Sequence, residues 1–362
     1  MNGKKWFYSC LILLAVSLFA IAGFVFWTDP FFHYRKPRPY FYYVLEEQRY
    51  QNDGITKNFD YDAIITGTSM TENFSASEFD SAFGTNSIKV PFSGATYKEI
   101  EENLRVSYKS GHTPKYVLRG LDYTLLVRGK DDLRLDMGEY PEYLTNKNPF
   151  DDVKYLLNRD AIFTYSLPMI KRYIRGEQGG YTSFDKYSYT ADQSTYSREQ
   201  ALMGQDHFDE PAVINEVTQQ EMDMVRDNIE SNVLSVARQH PETTFLYFFP
   251  PYSMVYFGGL KENGDLEKEL SYKKEAIDMM LECDNIHVYS FTMETDITAD
   301  LDRYKDQAHY DADVSSWIIE KIADAEIGQN SSPYRITRDN VQEYCDTEKE
   351  LLMNYDYNSL ID

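Results

Sequence analysis

The sequence is poor in cysteine and in positive charge. Three cysteines in 362 residues (Cys10, Cys283 and Cys345) cannot build a disulfide framework, and Cys10 sits inside an apolar segment. Lys and Arg total 36 against 59 Asp and Glu, a net charge of −23. That deficit excludes a nucleic-acid partner, because phosphate binding needs clustered cations. It also argues against broad docking on an anionic lipid surface. His33, His112, His207, His240 and His287 are scattered and form no HExxH or comparable spacing, so neither a metal nor a cofactor is expected. The turn at Gly67 is followed by no Lys, which rules out a P-loop. No internal repeat is present. Aromatic residues, in contrast, are abundant: 31 tyrosines within a 42% hydrophobic composition mark a chain that buries a substantial core.

Long apolar runs are also scarce, with one exception. No charge interrupts Trp6 to Trp27, and those roughly 22 residues suffice to cross about 30 Å of hydrocarbon as a helix. Trp6, Phe7 and Tyr8 at one end, and Phe26 and Trp27 at the other, suit the two interfacial belts. Lys4 and Lys5 place residues 1–5 on the cytoplasmic side and the rest outside. Ala20-Ile21-Ala22 resembles a signal-peptidase site, but the apolar run continues through Trp27, which favours an uncleaved anchor over residues 6–27. Residues 28–59, opening with DPFFHYRKPRPYFYY, read as a proline-broken juxtamembrane stalk or an element lying against the domain.

From residue 60 to 328 the pattern is that of an α/β domain with a mostly parallel sheet. Short apolar strands are expected near residues 62–66, 86–91, 116–121, 244–249 and 286–291. Ser75-x-x-Glu78 and Thr96-x-x-Glu99 are capping boxes that start helices. Ile214, Val217, Val225, Ile229, Val233 and Val236 share the spacing of one helix face. Residues 128–212 break the rhythm and read as an inserted cap region. The acidic tail, 329–362, carries one further helix around Val341 to Leu352.

Two short constellations carry chemistry. Gly67-Thr68-Ser69 follows the first strand, and a sharp turn there exposes a serine hydroxyl beside backbone N–H groups. Asp306-Gln-Ala-His309 lies after the last strand and before the last core helix. Its spacing lets the carboxylate hold one imidazole nitrogen while the other faces a serine. Ser93 and Ser253 lack the Gly-x-Ser turn.

Gly67-Thr68-Ser69, Gly94, Gly120-Leu121-Asp122 and Asp306-x-x-His309 together resemble blocks I, II, III and V of the SGNH (GDSL-like) hydrolases, over roughly residues 60 to 325. With the anchor, the layout is similar to the membrane-bound branch that serves lipoteichoic acid D-alanylation and polysaccharide O-acetylation in bacterial envelopes. The resemblance implies a three-layer, flavodoxin-like α/β/α domain with Ser69 as nucleophile, His309 as general base and Asp306 as its orienting partner. It implies an oxyanion hole from the backbone N–H groups of Ser69 and Gly94. The family's third donor is often an Asn in block III, where this chain has Asp122; either Asp122 is protonated, or it lies outside the hole, or another donor such as Asn73 replaces it. The expected substrate is an acetyl or D-alanyl ester of a cell-surface polysaccharide or teichoic acid. The expected partner is a membrane-bound O-acyltransferase. The alternative is a catalytically degenerate scaffold or glycan-binding protein on the same fold, which Asp122 favours.

Overall fold

The computed structural model describes residues 3–136, 140–146, 148–328 and 332–361. The chain forms two compact units, Met1–Asp60 with Glu139–Ser183, and Tyr61–Gly138 with Phe184–Asp362.

The first unit begins with one helix, Gly3–Thr28, that is long and apolar enough to cross a membrane. Its side chains are buried only where it ends: Val25 joins Phe31, Leu144, Tyr155, Ala161 and Tyr165 in a core cluster. The Thr28 hydroxyl meets that of Ser166 at 2.7 Å. Asp29 then turns the chain, its carboxylate accepting backbone N–H groups of His33, Tyr34 and Arg35 at 2.9–3.0 Å and the Tyr155 hydroxyl at 2.9 Å. The stalk expected over residues 28–59 is therefore corrected to packed structure. Phe31, Phe32, Phe41, Tyr43 and Leu45 are buried, and a helix runs Gln48–Asn58. Aromatic residues drive this, since leaving so much apolar surface in water would be costly. The helix comes so close to the preceding chain that a Cβ at Gly54 would lie 2.0 Å from the Phe31 carbonyl oxygen. The insertion expected at 128–212 is likewise divided. Its 139–183 portion belongs to this unit, where Gly180–Tyr181 pairs in parallel with Tyr42–Tyr43, and the remainder belongs to the second unit.

The second unit is built on a six-stranded sheet. In chain order its strands are β1 (Ala63–Gly67), β2 (Ser87–Pro91), β3 (Tyr116–Gly120), β4 (Thr244–Phe249), β5 (Ile286–Ser290) and β6 (Arg335–Ile336). The spatial order is β2-β1-β3-β4-β5-β6, with five parallel strands and β6 antiparallel to β5. Every residue of β1 and β2 is buried, as expected of parallel strands covered on both faces. The chain leaves β1 towards β2 on one side and later returns to β3 on the other, so the carboxyl end of β1 lies at a switch in direction, where open α/β sheets place their ligands.

Capping decides where the helices start. Thr96 and Glu99 form a complete capping box at the helix Tyr97–Lys109. At Ala76–Phe83 only half the expected box forms. Ser75 caps the N–H of Glu78, and its own hydroxyl donates to Asp185 at 3.1 Å. The helix expected from Ile214 instead starts at Gln219, because Thr218 and Glu221 form a box there; Ile214 is exposed.

The tail is part of the sheet domain and not an appendage. It supplies β6 and the helix Val341–Asn354, and Glu348 on that helix reaches buried Lys273 at 2.5 Å. Lys273 also donates to Ser290 and Thr292, so its ammonium group is fully partnered. Cys283 and Cys345 are free thiols. Removing one partner of a buried ion pair strands the other charge. Glu348→Ala is expected to lower stability by about 3–5 kcal/mol, read as a lower urea midpoint at an unchanged slope.

Candidate active site

β1 ends in a turn that only glycine accommodates. Gly67 has φ +148°, and a Cβ there would sit 2.8 Å from Thr71 and 3.3 Å from the Gly120 nitrogen of β3. Thr68 follows, its hydroxyl donating to Asp122 at 2.7 Å while accepting the Met70 N–H at 3.3 Å. Ser69 opens the short 3-10 turn Ser69–Thr71. Just beyond, the carbonyls of Glu72 and Phe74 accept from the Lys89 ammonium at 2.5 and 2.9 Å. Lys89 projects from the middle of β2 and is fully buried. The Ser69 turn is therefore held by Asp122 on one side and by Lys89 just beyond it.

The histidine arrives on the loop after β5. Asp306 folds this loop on itself: one carboxylate oxygen accepts the backbone N–H groups of Ala308 and His309, both at 2.8 Å. The other oxygen meets His309 Nδ1 at 2.7 Å. The loop is moored to the segment after β4, where the Ser253 N–H and hydroxyl both donate to the Gln307 carbonyl, at 3.0 and 2.7 Å. Thus placed, His309 Nε2 lies 2.7 Å from Ser69 Oγ. A proton on Nδ1 facing the carboxylate leaves Nε2 to accept from the serine. Burial disfavours the Asp306 charge, but hydrogen bonds and the charge of His309, with the two backbone N–H groups, outweigh it and hold its pKa at about 2. The orienting carboxylate is therefore ionised at any physiological pH.

Asp122 is engaged by two hydroxyl groups. Both its oxygens accept, from Thr68 and from the Tyr252 hydroxyl at 2.5 Å, and its backbone carbonyl accepts from Tyr97 at 2.8 Å. Burial pushes its pKa up, opposed by those two hydroxyls and by the charges of His309 and Arg119. Its work is to position Thr68 and, through it, the turn. Asn73 is engaged elsewhere. Its side-chain oxygen accepts the N–H groups of Thr190 and Ala191 at 3.0 and 3.1 Å, and its amide faces Tyr196, so it latches a loop. The backbone N–H groups of Ser69 and Gly94 fit an oxyanion better. Neither has a partner among the described residues, and both residues line one cleft. Gly94 has φ +64° and is overlaid by the Arg134 guanidinium, where a Cβ would intrude to 1.8 Å.

The cleft holds about 500 Å³, within the range of small-molecule sites. Beyond the triad its walls include Leu125, Met203, Tyr256 and Arg128. Arg128 is exposed and has no ion pair or hydrogen bond among the described residues. Sequence reasoning missed Thr68, Lys89, Tyr252 and Arg128. A lysine amid the apolar strand Ser87-Ile-Lys-Val-Pro91 was the available signal for one of them.

Chemically, the arrangement can deprotonate a serine, stabilise the resulting imidazolium and bind an oxyanion on two backbone donors. Lys89 supplies a test of the scaffold. Burial lowers its pKa from 10.5 to about 7, with Asp185 and Glu72 opposing. The unfolded chain therefore holds this proton between pH 7 and 10.5 while the folded one releases it. Stability should rise with pH across that window and lose the contribution as pH falls to 7. Lys89→Met should flatten the rise, as measured by denaturant midpoints at a series of pH values. No protein-family model, curated protein or solved structure matches the chain.

Proposed function

We propose that the protein is a membrane-anchored, extracytoplasmic serine esterase or O-acyltransferase of the SGNH type, on a three-layer, flavodoxin-like α/β/α domain. The observation that carries this reading is the line Ser69 Oγ, His309 Nε2, His309 Nδ1, Asp306, with 2.7 Å at both hydrogen bonds. Ser69 Oγ attacks the ester carbonyl as His309 takes its proton. The carbonyl oxygen becomes an oxyanion facing the N–H groups of Ser69 and Gly94. Collapse breaks the ester C–O bond, and His309 returns the proton to the leaving alcohol, leaving acyl-Ser69. Water, or a sugar hydroxyl, then attacks with His309 again as base, which makes the reaction hydrolysis or transfer.

The cleft supports one substrate class over others. Arg128 offers a guanidinium to an anion, and a charge-assisted contact of that kind suits a glycopolymer carrying phosphate or carboxylate, such as a teichoic acid, better than a neutral one. A membrane-bound O-acyltransferase would supply the acyl group. The rival reading, a non-catalytic scaffold or glycan-binding protein, draws on Asp122: with both oxygens already accepting, it provides no third donor for the oxyanion. A single missing donor costs about 10²–10³ in rate, which slows an esterase without making it a scaffold.

A fluorophosphonate probe should label the protein at Ser69. Ser69→Ala should abolish labelling and His309→Ala should reduce it severely; labelling that persists in Ser69→Ala would sink the assignment. Arg128→Gln should raise KM about tenfold for an anionic acylated glycopolymer, with kcat and the hydrolysis of a neutral aryl acetate unchanged. Steady-state kinetics on the two substrates separate this from a general loss of activity.

A further inference from the structure

We infer that the first unit is a membrane-docking module, with residues 150–174 lying in the boundary between lipid headgroups and acyl chains beside the anchor helix. The inference rests on the reading of Gly3–Thr28 as a bilayer span.

Three independent observations converge. The first is exposure. Among the described residues beyond the anchor, this unit leaves eight large hydrophobic side chains in the open, against five in the second unit, which is more than twice as long. Phe150 is 87% exposed, Phe163 62% and Ile174 76%. Leu167 and Ile174 stand seven residues apart on the helix Leu167–Ile174, hence on one face, and Phe163 lies about one turn earlier. Tyr165 and Met169 are buried on the other side. Lys171, Arg172 and Arg175 follow, and their long stems let charged heads reach water while the apolar face stays in lipid.

The second observation is where this surface is fixed. Ala161 and Tyr165 pack against Val25 in the cluster that grips the end of the anchor, and Ser166 is bonded to Thr28. The exposed face is thereby tied, within its own folding unit, to the residues where the span ends. A surface so placed cannot move away from the bilayer that the helix crosses.

The third is charge. The chain's −23 is not shared evenly. The first unit has 13 basic and 11 acidic residues, and two of the basic ones, Lys4 and Lys5, lie at the far end of the anchor. The second unit has 23 basic and 48 acidic residues. Only the first is free of the net negative charge that would repel anionic headgroups. A generic protein-binding patch would carry no such requirement, and so lipid is the occupant.

The full chain is produced in four single-cysteine forms, Leu14→Cys, Phe163→Cys, Ile174→Cys and Asp209→Cys, with the native cysteines replaced by alanine. Each is labelled with an environment-sensitive fluorophore and reconstituted in vesicles of phosphatidylcholine and phosphatidylglycerol containing doxyl-lipid quenchers. Labels at 163 and 174 should be blue-shifted and quenched several-fold more by lipid than the label at 209. Water-like labels at 163 and 174, with 14 still quenched, overturn the docking and leave the anchor standing. Labels that are blue-shifted but untouched by doxyl lipid indicate a second copy of the chain on this face and overturn it equally. No quenching at 14 removes the anchor reading itself. Should the cysteine-free chain fail to fold, hydroxyl-radical footprinting of the unmodified protein in the same vesicles decides. Phe150, Phe163 and Ile174 should oxidise several-fold less than Val213 and Ile214, and equal oxidation overturns the inference.

Discussion

A hydrogen bond between Ser69 and His309 joins side chains 240 residues apart, and both are carried on loops. Loops are the least constrained parts of a fold, so a 2.7 Å contact between two of them needs each to be fixed by something else. The parallel register of β1 with β3 fixes the first, and Thr68 bonded to Asp122 transmits that register to the serine. The Asp306 turn fixes the second, and Ser253 moors it beside the end of β4. The two supports meet again through Tyr252, which follows β4 and donates to the same Asp122. One buried carboxylate thus sits where both loops are tied, and its neighbours explain the geometry better than the triad does alone.

That division also explains what could be read from the residues. Ser69, Asp306 and His309 were legible because each belongs to a short pattern whose place in the strand order restricts where it can go. The alternation of apolar runs and capping boxes was enough to foresee a mostly parallel α/β sheet. The role of Asp122 was not legible, since whether a carboxyl group donates or accepts depends on partners distant in sequence: Thr68 lies 54 residues away and Tyr252 lies 130. The juxtamembrane stretch was ambiguous for a related reason. Its prolines allowed a stalk as well as a packed element, and Phe31 and Phe41 are buried against chain more than a hundred residues later. Helix boundaries depended on capping chemistry more than on periodicity, as the start at Gln219 shows.

The two units follow different electrostatic rules. The sheet domain carries the whole acidic excess and pairs its buried cations Arg119 and Lys273 with carboxylates, Glu101 at 3.1 Å and Glu348. The first unit buries polar groups of another kind, with the Asp29 carboxylate accepting from backbone N–H groups and a tyrosine. Averaged over the chain, these two patterns merge into a single strongly negative number that describes neither unit.

The tail gives the molecule an order of assembly. During synthesis Ser69 emerges long before His309, and the free edge of β5 waits for β6, which comes only at residues 335–336. Such long sequence separations slow folding and expose an unpaired strand edge until the last contacts close. No nascent or truncated chain lacking its final hundred residues could form the serine–histidine pair. The Ser69–His309 contact therefore waits on synthesis of the segment that carries the histidine.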